Sequence, residues 1–157
     1  MKMYAKGFTL IELIIVVVLV GIIALVAAPM LLKSVEATHI GYTISEQTGQ
    51  GDQAVIQMTR DIRNLWNVTE LTLATNSLSF TNSLGNTISY AVSNNQLTSN
   101  GIILVDHVNQ LNFTYYDAAG NTTNSAILVR YLKFSFTTTE QNVSETFSNL
   151  VYLRNAS

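Results

Sequence analysis

The chain has 157 residues, a formal net charge of −2 and no cysteine. That length holds one compact domain and one long helix, and the missing cysteine excludes disulfides, thiol chemistry and cysteine-based metal sites. With no basic run beyond the first few residues and no arginine-rich stripe, the electrostatic footprint of a nucleic-acid binder is missing, so nucleic acid is not an expected partner. Hydrophobic residues make up 48% of the chain and concentrate between Leu10 and Leu32, whereas the part after about Asn67 is rich in Ser, Thr and Asn. Charged residues are only 11%, a surface chemistry that suits an exported β-rich domain more than a cytosolic enzyme.

Lys2 and Lys6 precede Gly7; Phe8, Thr9, Leu10 and Ile11 lead to Glu12; and Leu13 to Leu32 then runs without a charged side chain. Such a run, as a helix, rises about 30 Å and crosses a bilayer core. A cleaved secretory signal would be shorter, and Ala27-Ala28-Pro29 is a poor cleavage site because proline follows it directly. The two lysines before the span keep the N-terminus cytoplasmic and place the body outside. Glu12 stands at the edge of this apolar helix, where an ionised carboxylate is costly without a partner. Two readings stay open for it: solvation in the headgroup layer, or pairing with a cation. Pro29 is the only proline, and with Gly21 upstream it marks a kink that a membrane helix tolerates.

The stretch Lys6-Gly7-Phe8-Thr9-Leu10-Ile11-Glu12-Leu13 closely resembles the processing motif of type IV prepilins and type II secretion pseudopilins. The resemblance implies that a prepilin peptidase cuts after Gly7 and methylates Phe8. It implies too that Glu12 meets the N-terminal amine of a neighbouring subunit in a filament. Cleavage creates an α-amine with a reference pKa near ~8, positive at neutral pH, and pairing it with Glu12 relieves two charges that would each be costly in hydrocarbon. Gly21 and Pro29 look like the kink-forming pair of many pilins; an ordinary transmembrane kink is the other reading. The partners so implied are other pilin or pseudopilin subunits, the prepilin peptidase, an inner-membrane assembly platform and membrane lipid. The implied place is the inner membrane and then a pilus or pseudopilus.

After Lys33 the pattern turns amphipathic. Ala54, Val55, Met58, Ile62, Leu65 and Trp66 form one stripe that should pack on a sheet, with Gln57, Arg60, Asp61 and Asn64 facing solvent or another subunit. Gly41, Gly49 and Gly51 each weaken a helix by about 1 kcal/mol relative to Ala. A break near Gly49-Gln50-Gly51 and a continuous helix held by packing both remain open.

From Val68 onward, short alternating segments separated by turn signals read as strands: 68–74, 77–81, 87–92, 96–98, 101–105, 108–117, 126–138 and 147–154. Short connections favour antiparallel neighbours. The expected fold is therefore α+β, with a long N-terminal helix on an antiparallel sheet. It divides into a leader (1–7), a membrane-spanning helix (8–32), an amphipathic helix and linker (33–66) and a β head (67–157). Leu111 to Asp117, Val129 to Phe136 and Tyr152-Leu153-Arg154-Asn155 also resemble the minor pilin and pseudopilin pattern, while the C-terminal cysteine pair of many major pilins is missing.

Catalytic chemistry finds little support. His39 and His107 have no second His or Cys at metal-ligand spacing, and Asp106-His107 lacks a placed nucleophile. Asp106 and Asp117 are candidates for a calcium loop but read more simply as surface or turn residues. No cofactor and no enzymatic activity are expected. The reading is a structural subunit, a minor pilin or pseudopilin; the alternative is a filament-tip subunit for adhesion, DNA uptake or recognition of a secreted substrate.

Overall fold

The computed structural model describes residues 7–154; Lys2 and Lys6, which carry the orientation argument, and Asn155 lie outside them. The chain divides into two compact units, Met1–Tyr42 and Thr43–Ser157. Helix α1 (Leu10–Arg63) begins in the first and ends in the second.

From Leu13 to Leu32, within the first unit, α1 is apolar all round. Its large side chains from Leu10 to Leu32 are exposed, and it is the one described helix long and apolar enough to cross a membrane, with a window of mean hydropathy 3.2. A helix with no polar face requires an apolar surrounding. Pro29 lies inside this helix. Its ring nitrogen has no hydrogen to donate to the carbonyl four residues back, yet the helix continues on both sides.

In the second unit α1 is amphipathic. It stays helical through Gly49 and Gly51, so of the two alternatives the continuous helix is the one realised. Gln47, Gly51, Ala54, Met58 and Ile62 form its buried stripe. Two expectations for the stripe need correction. Trp66 is 61% exposed, because the helix ends at Arg63 and the helical period no longer places residues beyond it. Its backbone instead donates to the Thr81 carbonyl at 3.1 Å, beside a bridge between Leu65 and Asn82. Asp61, placed on a polar face by its spacing, is half-buried and accepts a hydrogen bond from Tyr90.

The strands form two antiparallel sheets, not the single sheet expected. One is a five-stranded meander of β1 (Thr72–Leu73), β2 (Ser77–Thr81), β3 (Thr87–Ser93), β4 (Gln96–Ser99) and β5 (Ile102–Val105) in sequence order. The other holds β6 (Val108–Tyr116), β7 (Tyr131–Glu140) and β8 (Val143–Tyr152). Phe113 N–H donates to the Thr75 carbonyl at 2.8 Å and Val108 N–H to that of Asn95 at 2.7 Å, tying the second sheet to the first. Leu78, Phe80, Tyr90, Leu97, Leu132, Phe134, Phe136 and Val151 join Met58 and Ile62 in one core.

Strand boundaries depart most from expectation at three places. Residues 68–74 give a 3-10 turn (Val68–Glu70) and only two strand residues, and Ala126–Leu128 is likewise a 3-10 turn before β7. β8 starts at Val143 and not near Phe147, because its first residues pair through hydroxyls: Thr137 with Thr146 at 2.9 Å and Thr139 with Ser144 at 2.8 Å. An alternation test for apolar residues misses a strand made that way. Gln141 and Asn142, at φ 49° and 65°, close the β7–β8 hairpin, as Asn94 and Asn95 (51° and 60°) close β3–β4. Positive φ at both central residues matches the right-handed twist of the flanking strands.

Candidate functional site

The N-terminal turn builds itself from Thr9 and Glu12. Thr9 precedes the helix, and its backbone N–H and its hydroxyl both donate to Glu12 Oε2, at 2.9 and 3.0 Å. The Glu12 N–H returns a bond to Thr9 Oγ1 at 3.3 Å, and the Leu13 N–H reaches the Thr9 carbonyl at 3.3 Å. This is a capping box, which satisfies amide groups that the first helical turn leaves without partners and sets a carboxylate at the positive end of the helix dipole. The sequence signal is Thr9-x-x-Glu12 ahead of an apolar run. Reading Glu12 only as a misplaced charge overlooks it.

Gly7 and Phe8 lie immediately before this cap, in non-helical conformation; a side chain at Gly7 would meet nothing within 4 Å, and Phe8 is 83% exposed. Gly21 also sits in open space, within the helix, and Pro29 lies farther along it. Gly7 and Phe8 thus adjoin the turn that Thr9 and Glu12 form, whereas Gly21 and Pro29 are separate features of the same helix.

In the head, the polar residues singled out by sequence serve the fold. Asp106 accepts from Gln96 Nε2 at 2.7 Å, and His107 holds a left-handed turn (φ 57°) with its Nδ1 3.5 Å from Glu140 Oε2. Asp117 Oδ1 accepts the Asn121 and Ala119 amides at 2.9 Å each, and those bonds, the Asn121 amide foremost, hold its carboxyl below the usual carboxylate range. Among the described residues no three His, Asp or Glu side chains gather as a metal site. Two of the surface grooves on the head carry aromatic or basic side chains. One, on the open face of the three-stranded sheet, is lined by Tyr116, Tyr131, Lys133 and Leu150, and Tyr116, Tyr131 and Tyr152 stand in register across the three strands. The other is lined by Arg60, Arg63 and Arg154.

Comparison with known protein families matches residues 2–28 to the prokaryotic N-terminal methylation motif. The matched stretch takes in Gly7, Phe8, Glu12 and Gly21 and stops one residue short of Pro29. The chain therefore carries the prepilin motif of type IV pilin-like proteins, set on an α+β, pilin-like architecture of one long apolar helix and antiparallel sheets. No curated protein and no solved structure matches the chain.

Proposed function

We propose that the chain is a structural subunit, a minor pilin or pseudopilin, held in the inner membrane by α1 until it is packed into a type IV pilus or a type II secretion pseudopilus. In this reading the N-terminus is cytoplasmic and the head lies outside. A prepilin peptidase cuts after Gly7 and methylates Phe8. The observation that carries the proposal is the methylation motif at residues 2–28 running directly into a helix whose apolar side chains are exposed all round.

The chemistry follows from the N-terminal turn. Cutting before Phe8 leaves an ammonium four residues from a carboxylate, and within one subunit Glu12 already caps its own helix through Oε2. Among the described residues no hydrogen bond reaches Glu12 Oε1, so this oxygen is free to meet the amine of a neighbour. Repeating that heterologous contact generates an open helical filament. Leaving lipid for a bundle of apolar helices costs little burial, because lipid tails and leucines are equally apolar.

Mass spectrometry of the mature N-terminus tests the reading. The expected product begins at Phe8 and carries one methyl group, and a chain still beginning at Met1 would overturn it. The row of Tyr116, Tyr131 and Tyr152 on the open sheet face supports a second reading, a filament-tip binding subunit. Deleting a subunit of that kind leaves filaments that no longer bind their target, whereas deleting a structural initiator abolishes filaments.

A further inference from the structure

Three of the chain's four arginines, Arg60, Arg63 and Arg154, line one groove of about 450 Å³, together with Thr59, Asn64 and Asn149 and the apolar Val55 and Ile56. The groove is built and not incidental: Asn149 Nδ2 donates to Thr59 Oγ1 at 2.8 Å, while its Oδ1 accepts the Leu150 N–H at 2.9 Å. No carboxylate lines it, the three arginines are exposed, and among the described residues none of their guanidiniums has an ion-pair partner.

Four acids of the head gather at the other end of the same stretch of α1, whereas Asp61, next to Arg60, is half-buried and accepts from Tyr90. Glu46 and Asp52 are exposed there, and Glu140 and Glu145 reach the same turns by accepting hydrogen bonds from Gln47 at 2.9 Å and Thr48 at 2.8 Å. The two poles lie about 18 Å apart along the helix axis on average and about 12 Å at their nearest, Asp52 to Arg60, in each case beyond the ~8 Å Debye length at physiological salt. They therefore do not neutralise one another within a single head. A basic groove at one end and a carboxylate cluster at the other are complementary only between copies, in a head-to-tail arrangement that repeats without closing.

We infer that the Arg60–Arg63–Arg154 groove is the docking site for the acidic end of a second copy of this chain, receiving the carboxylates of its Glu46 and Asp52. The inference rests on the filament-subunit reading and adds to it the contact that sets the spacing of the heads. Charges of this kind chiefly fix register and partner choice, since mismatched signs oppose docking more strongly than matched signs favour it.

The test uses the full-length chain, co-produced with two different affinity tags and solubilised from membranes, with co-capture measured at low and high salt. Wild-type copies should co-capture in a salt-sensitive manner. Arg60→Glu with Arg63→Glu, or Glu46→Lys with Asp52→Lys, should lower the low-salt signal about tenfold, and the four changes together should restore it. Should a reversal unfold the head by circular dichroism, the neutral pair Arg60→Gln and Arg63→Gln is read in its place, with the same loss expected. Co-capture that ignores the reversals, or that the fourfold variant fails to restore, overturns the inference. So does unchanged co-capture with arginine-dependent retention on an immobilised oligonucleotide, which would assign the groove to phosphodiesters. The N-terminal mass is measured on the same samples. A chain cut after Gly7 with charge-insensitive association sinks this contact alone, whereas an uncut chain sinks the subunit reading.

Discussion

The ring of Phe147 on β8 lies against the backbone of Gly51 in α1, in the volume that any side chain at residue 51 would occupy. Phe147 is also stacked on Phe136, with ring centroids 5.1 Å apart and planes at 20°, so it has little freedom to retreat. Glycine in mid-helix costs about 1 kcal/mol relative to alanine. Here that cost is offset by the close approach of helix and sheet.

Gly51→Ala therefore sets a gain of about 1 kcal/mol in helix propensity against about 1–3 kcal/mol of overpacking. Overpacking should win, because two stacked rings must move. Denaturant unfolding of the full-length chain in detergent should show a net loss of stability. The double variant Gly51→Ala, Phe147→Leu should lose less than the sum of the two single changes.

The hydroxyl of Tyr90, a fully buried residue, donates to Asp61 Oδ2 at 2.5 Å. Asp61→Ala leaves that hydroxyl without its acceptor and should cost about 1–3 kcal/mol, while Asp61→Asn, which keeps a carbonyl oxygen, should cost less. Denaturant midpoints of the two variants rank them.

Alkaline pH probes the same core. Burial, and secondarily Asp61, raises the Tyr90 phenol above its ordinary value, and burial pushes Tyr115 up to about 12. The folded state thus holds these protons more tightly than the unfolded chain. The stability they contribute is complete below the ordinary phenol pKa of about 10 and is lost as pH rises toward 12 and beyond. The phenolate absorbance of these two residues, isolated by difference from Tyr90→Phe and Tyr115→Phe variants, should rise together with loss of β circular dichroism; ionisation of both phenols near pH 10 with the fold intact would contradict this.

At the N-terminus, Thr9 and Glu12 separate two roles. Thr9→Val removes the hydroxyl of the capping box and should cost the first helical turn about 1 kcal/mol while leaving Glu12 in place. Glu12→Ala removes the cap and also the carboxylate proposed to meet a neighbour's amine. It should impair assembly far more than membrane insertion, and Thr9→Val should affect both only mildly. The ratio of filament yield to membrane-inserted subunit distinguishes them; normal filaments from Glu12→Ala would sink the proposed pairing.

Thr138 is fully buried on β7, and its hydroxyl has no hydrogen-bond partner among the described residues. Valine has nearly the same shape without the polar atom. Thr138→Val should leave stability unchanged or raise it by up to about 1 kcal/mol, as read by thermal melting.

Much of the chain is legible in its sequence because the signals are local. The apolar run after Glu12, the Lys6–Leu13 motif and the turn at Ser93-Asn94-Asn95 each depend on neighbours a few residues away. The helical stripe of Ala54, Met58 and Ile62 depends only on a period, and the period holds until the helix stops at Arg63. The features decided by tertiary structure all join residues far apart in sequence. Gly51 reads locally as a helix breaker and proves to be a point of contact, because the ring that needs its missing side chain lies on the last strand. The separation into two sheets, the start of β8 in a run of Ser and Thr, and the convergence of Arg60, Arg63 and Arg154 on one groove follow likewise from long-range packing. Composition and period report how each segment prefers to fold and which face it buries; which distant surface meets that face is set by the packing of the whole head.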